Sequence, residues 1–133
     1  MAEEAKVSSS RGREIPRGEW LSFLDGFSRQ HERWLVTVEI VAKQLGHVIA
    51  VENRALQGVT PESSNGHERI AIAVGTAEAD HMTHFVSGPK RIRLLETADG
   101  TTLGLEIEAA DSTTTLVRFR GAMRPEMLDD VAA

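Results

Sequence analysis

Lys90-Arg91-Ile92-Arg93-Leu94-Leu95-Glu96 and Thr102-Leu103-Gly104-Leu105-Glu106-Ile107-Glu108 flank Asp99-Gly100, and this stretch decides the fold. Asp-Gly between two alternating runs is a strong type I′ hairpin signal, because both central residues of that turn need positive φ. Taking Asp99-Gly100 as the two-residue loop sets Ile92 opposite Ile107 and Leu94 opposite Leu105. The same register sets Arg93 opposite Glu106 and Arg91 opposite Glu108. Aliphatic pairs on one face and opposite charges on the other describe a half-buried antiparallel hairpin. A turn at Asp111-Ser112-Thr113 returns the chain as Thr114 to Arg120. With three loop residues, Val117 meets Ile107, Phe119 meets Leu105 and Arg118 meets Glu106. An Arg93–Glu106–Arg118 band then crosses three strands.

Upstream, the pattern changes period. Pro16 opens a helix in which Trp20, Leu24 and Phe27 recur at helical spacing, with Asp25, Ser28 and Arg29 on the other side. Gly26 costs about 1 kcal/mol in a helix interior, so the helix depends on docking. From Trp34 the period becomes two, with Trp34, Val36, Val38 and Ile40 on one face of a strand. Gln44-Leu45-Gly46 supplies a turn, and His47 to Leu56 reads as a second strand. Thr60 to Gly66 has loop composition. Ile70, Ile72 and Val74 mark a third strand; Met82, His84 and Val86 mark a fourth, interrupted at Ser87-Gly88-Pro89. After Gly121, Pro125 opens a short terminal helix through Met127 and Leu128.

The expectation is an α+β fold: an N-terminal amphipathic helix packed on a mostly antiparallel β-sheet or small barrel of about six strands. Residues 1–15 read as a mobile polar tail, and 16–133 as a single globular domain. The expected core is Trp20, Leu24, Phe27, Trp34, Val36, Val38, Ile70, Ile72, Ile92, Leu94, Leu105, Ile107, Val117 and Phe119. The strand after Gly46 and the strand holding Met82 to Val86 are the expected sheet edges.

Composition narrows the functional classes. The 133 residues carry no cysteine, a net charge of −5 and 41% hydrophobic residues. Disulfides, thiolate metal ligands and cysteine nucleophiles are excluded. The charged start, Met1-Ala2-Glu3-Glu4-Ala5-Lys6, lacks the apolar core of a signal peptide, and no apolar run approaches the roughly 20 residues that span a bilayer. These features read as cytoplasmic, with no membrane partner. The acidic total opposes nucleic acid, which rewards a positive footprint. Lys90, Arg91, Arg93, Arg118 and Arg120 form the basic set that could override it, yet several have in-register glutamates and no tyrosine offers a stacking platform.

Chemistry-bearing clusters are few. His81-Met82-Thr83-His84, preceded by Asp80, places two histidines three apart. That spacing chelates a metal on a helix but sends side chains to opposite faces of a strand. In a loop running into a strand, His81 reads as a turn residue and His84 as a half-buried, hydrogen-bonded one. His31, His47 and His67 show no spacing to them. There is no Gly-x-Ser-x-Gly elbow and no glycine-rich phosphate loop. No catalytic, cofactor-binding or metal residue is assigned, and no cofactor is expected.

The runs Glu19-Trp20-Leu21-Ser22-Phe23, Phe27 to Glu39, His81-Met82-Thr83-His84 and Leu105 to Phe119 resemble a small bacterial family filed as a domain of unknown function. The resemblance implies a bacterial origin and a stand-alone domain, and carries no catalytic residues. The order of elements is also similar to that of Sm-like small barrels, where a helix precedes a strongly bent sheet. Fold analogy of that kind does not license RNA binding.

The functional expectation is a small binding or interaction module without catalytic activity. It is a possible homodimer through a sheet edge, with a protein partner possible. Two alternatives stand beside it: an enzyme on a small polar substrate using His84 as base, for which a concave pocket holding His84 beside a carboxylate is the sign, and a nucleic-acid-binding small barrel.

Overall fold

The computed structural model describes residues 10–44 and 46–120. Alternating apolar residues make strands, and the strands run in chain order β1 (Ser10–Glu14), β2 (Leu35–Ala42), β3 (Gly46–Ser64), β4 (His67–Val74), β5 (Met82–Ser87), β6 (Pro89–Thr97), β7 (Thr102–Ala109) and β8 (Thr114–Phe119). Helix α1 (Trp20–Gln30) follows a single 3₁₀ turn over Arg17–Glu19. All strands join one antiparallel sheet in the order β1-β6-β7-β8-β2-β3-β4-β5.

This corrects the expected fold class. Strand accounts for 62% of the described structure and helix for 16%, so the protein is mainly β, not α+β. There are eight strands where about six were expected, and the sheet does not close into a barrel. Two misreadings hid strands. Ser10–Glu14, inside the stretch read as a polar tail, pairs residue by residue with Leu94 to Thr97 and Arg93 of β6. Thr60 to Ser64, read as loop, continues β3, and the turn is only Asn65-Gly66, both at positive φ. Pro61 is tolerated in that strand because its missing N–H falls on the side away from β4. The terminal helix expected over Pro125 to Leu128 lies outside the described residues.

The hairpin register holds: Ile92 faces Ile107, Leu94 faces Leu105, Arg93 faces Glu106 and Arg91 faces Glu108. The turn itself differs. Thr97 N donates to Thr101 O at 2.9 Å and Gly100 sits at φ +91, so three residues form the loop and a bulge at Leu95/Glu96 absorbs the extra one. The next register is displaced by two residues. Val117 faces Leu105, Thr115 faces Ile107 and Leu116 faces Glu106, because the loop closes at Ala109–Thr113 instead of one residue later on each side. A two-residue shift keeps every side chain on its face, so the core assignment survives it.

Thirteen of the fourteen expected core residues are buried, and Trp34 packs half-buried against them. Ile15, Val51, Leu56, Val59, Val74, Val86 and Ala109 complete the cluster. Full burial of an aliphatic side chain contributes about 1.5–3 kcal/mol, against at most about 1 kcal/mol for an exposed ion pair. The core therefore supplies most of the stability, and the charges on the opposite face add little.

β3 is long enough to serve two neighbours. Gly46 to Ala55 pair with β2, whereas Leu56 to Ser64 pair with β4, across a bulge at Leu56/Gly58. Where β2 leaves, β3 has an open edge, and α1 closes it. Ser28 Oγ accepts from Val59 N at 2.8 Å and donates to Val59 O at 3.2 Å. Arg33 N and Trp34 O hold Leu56 in the same way, at 2.7 and 2.8 Å.

Two predictions follow from this packing. Ser28→Ala strands the fully buried Val59 N–H and should cost about 1–3 kcal/mol in denaturant unfolding. The glycines divide by sign. A Cβ at Gly26 meets nothing within 4 Å, so Gly26→Ala should stabilise by about 0.5–1 kcal/mol. Gly104 sits at φ +150 where a Cβ would overlap Val117 O, so Gly104→Ala should lose at least about 2 kcal/mol. A matched pair of urea melts reads both.

Candidate functional site

Three places hold the chemistry of this molecule: the loop before β5, the outer charged face, and a groove under α1. In the loop, Asp80 is committed to the backbone. Its Oδ1 accepts from Ala77 N at 2.7 Å and from Thr76 N at 3.2 Å. The Ala77 bond leads in holding its carboxyl below the usual carboxylate range. Arg54 Nη1 donates to Asp80 O and Gln57 Nε2 to Gly75 O, which pins the loop from β3. Beside it lies a polar depression of about 590 Å³ lined by Glu32, Arg33, Gln57 and Thr76.

His81 and His84 do not come together as a site. His81 is exposed at the end of the 3₁₀ turn over Glu78–Asp80, with its ring 3.4 Å from Thr83 Oγ1. His84 is half-buried on β5 opposite Ile72, on the inner face. Burial alone lowers its pKa, with no charged neighbour contributing, and its ring makes no hydrogen bond to a described residue. Among the described residues no three His, Asp or Glu side chains converge as metal ligands.

The outer face carries the arginines. Arg91 reaches Glu108 at 3.0 Å and Glu14 at 3.7 Å, and Arg93 reaches Glu106 at 3.1 Å. The three-strand Arg–Glu–Arg band is corrected by the register shift: Arg118 turns instead to Glu39 on β2, at 3.7 Å. Glu39 also holds His47 Nε2 at 2.5 Å and is only 12% exposed at its side chain. Arg91, Arg93 and Arg118 thus pair within the sheet, and the sheet does not close into a barrel.

The concave site with a histidine in its lining is built on His31 and not on His84. One wall is α1, through Phe23, Gly26, Phe27 and Gln30; the other is Arg13 of β1, Leu94 and Glu96 of β6, and Thr102 of β7. The groove encloses about 390 Å³. Arg13 and Glu96 pair across its rim at 3.8 Å. His31 is 7% exposed, with ring centres 4.5 Å from Phe27, 4.6 Å from Trp34 and 4.7 Å from Phe119. Its Nδ1 lies 2.8 Å from Phe27 O, which can only accept, so Nδ1 carries the proton. Burial lowers its pKa more than the Phe27 bond raises it, so the ring is neutral at pH 7 and Nε2 is a bare acceptor. Sequence reading passed over His31, although Phe27 and Trp34 at −4 and +3 signalled an aromatic surround.

β5 is a sheet edge, as expected. In the strand after Gly46, the other expected edge, Gly46 to Ala55 pair with β2 alone, and β4 joins β3 only from Leu56 onward. Gly88 N donates to Glu68 O, and antiparallel pairs alternate, so Thr83, Phe85 and Ser87 turn their backbone groups away from β4. Met82 and Phe85 are each 42% exposed there. Arg69 lies over the Phe85 ring at 4.0 Å.

No helix among the described residues is long and apolar enough to cross a membrane. No curated protein and no solved structure matches this chain. A family of unknown function matches residues 11–131, a span that takes in every strand from β2 to β8, the groove and the β5 edge. The chain belongs to that family, DUF5335.

Proposed function

We propose that this protein is a non-catalytic interaction module that assembles as a two-fold dimer through β5. The observation that carries the reading is the state of that edge. Natural sheets guard their edges with charge, proline, bulges or cover. Met82-Thr83-His84-Phe85-Val86-Ser87 has none of the first three, since burial keeps His84 neutral and its pairing with β4 is regular.

The edge also suits a second copy of itself. A two-fold axis at Phe85 sets Thr83 against the second copy's Ser87 and Phe85 against the second copy's Phe85. Those are the residues whose backbone groups face outward, so the pairing satisfies each of them. Hydroxyl opposite hydroxyl and ring opposite ring are favourable cross-strand pairs. The strand itself brings no Asp, Glu, Lys or Arg to the seam. Two-fold dimers are the commonest homo-oligomers. A cysteine-free core suits such a module to a reducing cytoplasm.

Sedimentation equilibrium at micromolar concentration should give a dimer. Thr83→Pro deletes an N–H that turns away from β4 and has no partner among the described residues, so it should weaken the dimer by about tenfold or more while the fold is kept. Circular dichroism checks that the variant is folded. A wild-type protein that sediments as a 14.6 kDa monomer overturns the reading.

A further inference from the structure

We infer that the groove between α1 and the β1–β6–β7 sheet binds a small planar heteroaromatic ligand that donates a ring N–H to His31 Nε2. His31 is more than nine-tenths buried, yet its Nε2 makes no hydrogen bond to a described residue. Among the described residues no fully buried side-chain nitrogen or oxygen lacks a partner. Nε2 therefore keeps an opening, and the groove that His31 lines supplies it. A buried acceptor of fixed tautomer, held in place by three aromatic neighbours, is preorganised at no further entropic cost.

The rest of the groove sets the ligand class. Phe23, half-buried, offers apolar surface at the mouth of the groove, and the buried Phe27 and Leu94 back it. The volume, about 390 Å³, lies in the range of small-molecule sites. Nε2 can only accept, so the ligand must donate. The rim charges of Arg13 and Glu96 already answer each other at 3.8 Å, so a neutral ring is matched better than an ion. This binding is independent of β5, which lies elsewhere on the sheet.

Benzimidazole and 1-methylbenzimidazole separate the hydrogen bond from plain apolar contact, because they share a ring system and differ in the N–H. Titration of the full chain, followed by the ¹⁵N resonances of the His31 ring, should show benzimidazole shifting Nε2 and binding about tenfold tighter than the methylated compound. Equal affinity for the two, or an unmoved His31, overturns the proposal. Gly26→Leu provides a second arm. Position 26 lines the groove and a Cβ there meets nothing within 4 Å, so a larger side chain can leave the helix there and occupy the mouth of the groove. The folded variant should lose benzimidazole binding at least tenfold, as about 1.4 kcal/mol of lost affinity corresponds to tenfold. Unchanged binding in that variant also overturns the assignment.

Discussion

The structure depends on how β3 meets its backbone hydrogen-bonding requirement. β3 has 19 residues and its neighbours β2 and β4 have 8 each, so it exchanges β2 for β4 at the Leu56/Gly58 bulge. At the exchange, buried peptide groups lose their strand partner, and each unsatisfied one would cost about 1–3 kcal/mol. Arg33 and Trp34 answer Leu56, and Ser28 answers Val59. Helix α1 is therefore more than a lid on the core. It stands in for the missing strand, which ties its position to the bend in β3.

That placement creates the groove. Leu24 and Phe27 are drawn into the core while Ser28 is held at β3, so α1 cannot also lie flat on β6. The gap is roofed by Gly26, which has no side chain to fill it, and floored by Leu94. His31 falls one turn after Phe27, at the helix end, where the Phe27 carbonyl is available to receive Nδ1. The aromatic cluster of Phe27, His31, Trp34 and Phe119 then brings together the helix, the approach to β2 and the end of β8.

The two faces of the sheet divide the work. Inward, aliphatic side chains from every strand except β1 share one cluster, which Ile15 extends just past the end of β1. Outward, acids and bases alternate so that no sign accumulates: Glu14, Arg91, Glu108, Arg93 and Glu106 lie within ion-pair reach of one another. Such pairs contribute little to stability in water, and their opposite signs on neighbouring strands neutralise this face. The uncharged β5 edge differs in kind from this surface, and that contrast gives it functional weight.

Local pattern was enough for much of this. The β6–β7 register, the core phase of α1 and β2, and the edge position of β5 could all be read from the sequence, because period-two and period-3.6 alternation report which face is buried. Family kinship was legible in the run from Glu19 to Glu39 and again from Leu105 to Phe119. What the sequence could not determine were features settled by distant partners. Ser10–Glu14 is polar and becomes a strand only because β6 offers it an edge. Thr60 to Ser64 has turn composition and stays extended because β4 pairs with it. The β7–β8 loop could close in two ways that keep every face, so the hydrophobic pattern cannot choose between them. His31 reads as an ordinary residue after a helix; packing against Phe119, 88 positions away in the chain, completes its burial as a neutral acceptor. Residue type fixes what each face prefers, whereas the choice of neighbour is a property of the folded whole.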